Sequence, residues 1–114
     1  MGEFAFTLPV LQGKRGALEE LARTVTVTKK QEFADSRKRL NIDKESWFFE
    51  SSIRGDSWIL YEEGLDASKS FADWIASNDP FDMWFKEQVA MITGIELSIP
   101  LPSSPPRQLF KFPP

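Results

Sequence analysis

The chain of 114 residues contains no cysteine and no histidine. The first absence excludes disulfides, thiolate metal sites and a cysteine nucleophile. The second removes the commonest general base, the Ser-His-Asp triad and any haem held by imidazole. Charge of one sign is scarce too: 14 basic against 17 acidic side chains leave a net charge of −3, which argues against a protein that mainly grips phosphate backbones. No nucleic-acid partner is expected. Nothing approaches the roughly eighteen consecutive apolar residues of a membrane span. The apolar run Phe4 to Leu8 is short and follows Glu3, without the basic start of a signal peptide, so the expected compartment is the cytoplasm and no membrane partner is expected.

What is present is the composition of one globular domain. With 41% hydrophobic residues, the chain can build one core without staples. Phe4, Phe6, Leu8 and Val10 alternate with smaller or polar residues and predict a first strand ending near Pro9. After Gly13 to Gly16, Leu18, Leu21, Ala22 and Val25 recur at helical spacing. The run Thr24 to Thr28 has strand propensity but lies between helical patterns. We read it as helical, with Thr28 and Gln31 forming a capping box for a second helix; one long helix over 16–41 is the open alternative. The charges Lys29, Lys30, Arg37, Lys38 and Arg39 read as a solvated helix face.

Trp47 to Ile53 and Trp58 to Glu62 read as a hairpin closed by a type II′ turn at Gly55-Asp56. That register puts Ile53, Ser51 and Phe49 opposite Trp58, Leu60 and Glu62 on one face. Phe48, Glu50, Ser52, Ile59 and Tyr61 occupy the other, with Glu50 opposite Tyr61. Asp66 caps a helix with the stripe Phe71, Trp74 and Ile75. Asp79 and Pro80 start another, which presents Phe81, Trp84, Phe85, Val89 and Ile92 and stops at Gly94. Ile95, Leu97, Ile99 and Leu101 alternate as a last strand at a sheet edge. Residues 102–114 form a proline-rich extension whose Leu109, Phe110 and Phe112 are expected to pack on something, a second subunit being one candidate.

This order predicts an α+β domain over residues 1–101 with a ferredoxin-like βαββαβ fold: a four-stranded antiparallel sheet with helices on one face. The second face would carry Ala5, Thr7, Phe48, Glu50, Ile59, Tyr61, Glu96 and Ser98, and a homodimer packed through it would enclose a cavity. The stretch Trp47-Phe48-Phe49-Glu50, then Gly55 to Glu62, Phe71 to Ser77 and Asp79 to Phe85, resembles an uncharacterised bacterial family of the dimeric α/β-barrel superfamily. The likeness in element order extends over roughly 1 to 101, and its specific pattern over about 45 to 90. The resemblance implies relatives that include cofactor-independent monooxygenases, haem-degrading enzymes and lactone isomerases, and fold alone selects none of these roles. Haem-binding members generally hold iron with a histidine, which this chain lacks.

The expected function is therefore a small-molecule-binding homodimeric α/β barrel, whether or not it catalyses, with no metal and no organic cofactor. The alternative is a cofactor-independent monooxygenase or isomerase acting on a small aromatic substrate. In that version Glu50 takes a proton and Tyr61 orients the substrate. Phe48, Ser52, Ile59, Thr7 and Ser98 would line the ligand pocket. A cross-strand hydrogen bond at a wet sheet surface is the bland account of Glu50 and Tyr61. Asp79 and Asp82 read as cap and first-turn acid, and Glu62 and Glu63 point to opposite faces, so neither pair suits a cation. Most tryptophans and phenylalanines lie on apolar stripes and belong to the core. Arg54-Gly55-Asp56, Pro102 to Arg107 and Gly13 to Gly16 match recognition motifs, but are short enough to arise by chance.

Overall fold

The alternation at the start of the chain becomes strand β1 (Gly2–Val10), which buries Phe4, Phe6, Leu8 and Val10 and exposes Ala5, Thr7 and Pro9. A computed structural model describes residues 2–97 and 106–114. Helix α1 (Arg15–Arg23) buries Leu18 and Leu21 and runs directly into a π-helical turn, Thr24–Thr28, before α2 (Lys30–Arg39). The Thr-Val-Thr-Val-Thr run explains the turn. Its β-branched side chains crowd a regular helix, and the hydroxyls of Thr24 and Thr26 donate to the carbonyls of Glu20 and Ala22 at 2.8 Å, competing with the amides for those acceptors. The ladder widens, and the Lys29 amide donates five residues back to Thr24 at 2.7 Å. The helical reading of this run therefore holds in widened form. The expected capping box does not form: Lys29 occupies the N-cap position without a side-chain cap, and Gln31 donates to Asp35 at 2.8 Å instead.

Strands β2 (Ile42–Ser52) and β3 (Gly55–Gly64) make the hairpin, but its turn is Ile53-Arg54 and not Gly55-Asp56. Neither Ile53 nor Arg54 has positive φ, which excludes the primed two-residue turns. Gly55, with φ 112°, absorbs the twist after the turn, where a hairpin of this kind takes glycine. Phe49 therefore faces Trp58, Trp47 faces Leu60 and Glu45 faces Glu62. Each residue's partner lies four positions from the expected one, Phe49 standing opposite Trp58 instead of Glu62. Because that number is even, the paired strand residues stay on their predicted faces, while Ile53, expected opposite Trp58, lies in the turn and is fully exposed. At the far end Gly64 pairs with Gly2 and Ile42, and a Cβ there would stand 2.2 Å from the Asn41 carbonyl oxygen, so the close approach requires glycine.

Helix α3 (Ala67–Ala76) is capped by Asp66, whose side chain accepts from the Lys69 amide at 3.1 Å. Helix α4 (Pro80–Thr93) starts with Asp79, which accepts from the amides of Phe81 and Asp82, and stops at Gly94. The apolar faces of the helices meet one side of the sheet. Trp58 and Leu60 of β3 and the buried residues of β1 pack there with Leu18, Leu21, Val25, Phe71, Trp74, Ile75, Phe85, Val89 and Ile92.

Among the described residues the sheet is antiparallel and three-stranded, in the order β1-β3-β2, an α+β arrangement compatible with a ferredoxin-like fold. Among the described residues no fourth strand is present. Glu96 and its neighbours Ile95 and Leu97 make no strand, and the rest of that segment, Ser98 included, lies outside the described residues.

Candidate functional site

The sheet face away from the helices is the open one. Its rows follow from the two registers: Thr7, Ile59 and Phe48 stand side by side, then Ala5, Tyr61 and Ser46, with Glu3 and Glu63 beyond. Phe48 is 57% exposed, and Ile59 and Tyr61 are half-buried. The Tyr61 hydroxyl donates to the Glu3 carboxylate. That bond, followed by the contact with Lys111, holds the Glu3 carboxyl below its usual range. The same bond, with burial and Glu63, raises the Tyr61 phenol, which stays a proton donor. The C-terminal segment reaches this corner of the face. Lys111 Nζ lies 3.1 Å and Gln108 Nε2 3.4 Å from Glu3 Oε1, and Pro106, Arg107 and Gln108 close a cleft of about 210 Å³ over Ala5 and Tyr61. Leu109, Phe110 and Phe112 remain exposed.

The expected pairing of Glu50 with Tyr61 is corrected. Glu50 faces Ser57, whereas Tyr61 faces Ser46, four residues and about 13 Å along β2. They share a face but no contact. The true partner of Tyr61, Glu3, comes from β1 and depends on a strand pairing that the hairpin sequence does not contain. Thr7, Phe48 and Ile59 are brought together as expected, while Ser52 lies at the turn end, opposite Gly55.

On the helical side lies a cluster that sequence reasoning missed. Arg37, expected on a solvated face, is 7% exposed. Its guanidinium lies over Phe33 at 4.7 Å, Phe85 at 5.1 Å and Trp74 at 5.8 Å. Arg37 Nε is 3.1 Å from Glu45 Oε1, but neither atom has a hydrogen-bond partner, so the contact is an ion pair without aligned donor geometry. The Trp47 indole donates to Glu45 Oε2 at 2.6 Å. Glu62 completes the group: burial, and then the Glu45 charge opposite it, push its carboxyl up to about 9. The signal in the sequence was alternation, which places Glu62 on the same face as Trp58 and Leu60. Ala22, Val25, Thr26 and Phe33 join Glu45 and Trp47 around a cleft of about 170 Å³ beside the π-helical turn.

Asp82 forms a second buried knot. It accepts from Ser36 at 2.5 Å, Ser77 at 2.6 Å and Arg39 at 2.8 Å, tying α2 to the start of α4. Burial pushes its carboxyl up, but these hydrogen bonds outweigh it and the net shift is downward. The first-turn acid is thus a cross-link. Among the described residues no three acidic side chains come together as a metal site would need. No protein-family model, no curated protein and no solved structure matches the chain at a significant level.

Proposed function

We propose that the protein is a small-molecule-binding homodimer, in which two open sheet faces pack against each other and enclose a pocket for a partly aromatic ligand, as in the dimeric α/β barrels that the sequence resembles. The observation that carries the reading is the open face itself: a row of Thr7, Ile59 and Phe48 with Phe48 57% exposed, next to a tyrosine held by Glu3. An aromatic and a β-branched residue on a face that no described helix covers favour burial by a second copy, and the phenol and carboxylate supply polar groups to orient a ligand. The exposed Leu109, Phe110 and Phe112, held near that face through Glu3, add apolar area to the same contact. Binding is preferred over the monooxygenase or isomerase alternative because Glu50 and Tyr61 stand apart and the Tyr61 hydroxyl is engaged by Glu3. No described helix is long and apolar enough to cross a membrane, and we place the protein in the cytoplasm.

Phe48→Glu puts a charge at the centre of the proposed contact. Sedimentation equilibrium of the unmodified chain should give a dimer and of the variant a monomer with unchanged circular dichroism. A monomer for the unmodified chain at several hundred micromolar, as a working concentration on the order of what weak dimers need, would refute the reading.

A further inference from the structure

One corner of the open face is walled by the chain's own C-terminal segment. Pro106, Arg107 and Gln108 stand over Ala5 and Tyr61 and, with Glu3, enclose a cleft of about 210 Å³. Glu3 fixes the segment there: its Oε1 lies 3.1 Å from Lys111 Nζ and accepts from Gln108 at 3.4 Å, while the Tyr61 hydroxyl donates to its other oxygen. The Glu3 charge is thus answered by a cation and two neutral donors. Arg107 is not matched in this way. It forms no ion pair among the described residues, and all 17 acidic side chains of the chain belong to those residues. Its guanidinium is therefore the charge in the cleft wall that lacks a counter-ion.

We propose that this cleft binds a small carboxylate carrying one aromatic ring, the carboxylate paired with the Arg107 guanidinium and the ring lying against Ala5, Tyr61 and Pro106. A guanidinium presents a planar fork of donors that matches a carboxylate, and the bonds between them are charge-assisted. The volume sets the size of the ligand. Drug-sized molecules occupy sites of roughly 300–1,000 Å³, so a cleft of about 210 Å³ takes a single ring and no fused system. A neutral alcohol of the same shape keeps the ring contact without the ion pair, and an organic cation meets Arg107 as a like charge. The proposal names a ligand class for the open face and in that respect rests on the reading above, but every wall of the cleft comes from one chain.

The full chain labelled with nitrogen-15 is titrated with sodium benzoate, benzyl alcohol and benzylammonium chloride at equal ionic strength, with the backbone amides of Ala5, Tyr61 and Gln108 as reporters. Saturable shifts are expected with benzoate, about tenfold weaker binding of benzyl alcohol for loss of the charge-assisted bonds, and no saturable response to benzylammonium. Arg107 is exposed, so its replacement leaves the core untouched. Arg107→Gln should weaken benzoate binding about tenfold and leave that of benzyl alcohol unchanged, a split that a merely structural role would not produce. No saturable shift with benzoate, an affinity for benzyl alcohol or benzylammonium equal to that for benzoate, or unchanged benzoate binding by Arg107→Gln would each overturn the proposal. Sedimentation equilibrium on the same samples separates the two readings. A monomer that binds benzoate keeps the cleft and refutes the dimer, whereas a dimer without benzoate shifts does the reverse.

Discussion

Glu62 makes stability depend on pH in a direction opposite to that of an ordinary surface carboxylate. Its carboxyl is pushed from 4.5 to about 9, by burial first and the Glu45 charge second. The folded state therefore keeps a proton that the unfolded chain releases as pH rises through 4.5. The contribution of Glu62 is fully present below that value, declines as pH rises, and is exhausted near pH 9. At pH 7 the unfolded side chain is two and a half pH units past its midpoint, which at about 1.4 kcal/mol per unit sets a ceiling of roughly 3 kcal/mol of destabilisation. Glu62→Gln keeps the shape and a donor toward Glu45 but has no proton to lose. Urea unfolding followed by tryptophan fluorescence at half-unit steps from pH 5 to pH 9 should show the variant gaining on the parent chain as pH rises, by about 1 to 3 kcal/mol at pH 7. At pH 5 the two should nearly coincide. Parallel stability curves, or a variant less stable at every pH, would refute the assignment of the proton to Glu62.

Glu3→Gln removes the charge that holds Lys111, so trypsin should cut after Arg107 and Lys111 faster than in the parent chain while the melting temperature barely changes; equal cleavage rates would contradict the anchoring. Asp82→Asn leaves Arg39, Ser36 and Ser77 facing a neutral amide and should cost about 2 to 4 kcal/mol in denaturant unfolding at pH 7. The Asp82 carboxyl is depressed, so its contribution is present above the unfolded value and lost as pH falls through the folded one. The variant should accordingly be less sensitive to acid than the parent, read as the shift of unfolding midpoint between pH 7 and pH 3. Gly64→Ala would drive a methyl to 2.2 Å from the Asn41 carbonyl, and thermal unfolding should reveal a loss of about 2 kcal/mol or more; a melting temperature within a degree of the parent would mean the β2–β3 end can open freely.

The elements that rest on local chemistry were legible in the sequence. Alternation at Phe4 to Val10 sets the buried face of β1, and Asp66, Asp79, Pro80 and Gly94 bound α3 and α4, because capping and pleating involve neighbours within a few residues. The face of the paired hairpin residues was also decided locally, since side chains alternate whatever the pairing. The register was not: the positive φ of Gly55 sits after the turn, a matter of backbone geometry, and it moved Glu50 away from Tyr61 and set Glu45 against Glu62.

Composition and periodicity thus determined the α+β class, the apolar stripes and the absence of histidine and cysteine chemistry. Only the tertiary structure decided which charges meet. Arg37 and Glu45 are distant from Glu62 in the chain, as Glu3 is from Tyr61, and their encounter depends on how helices and strands dock. Burial in that docked arrangement turns ordinary surface-type residues into a buried ion pair, a protonated acid and a tethered tail, because desolvation and partner distance arise from the packed whole and from no local pattern.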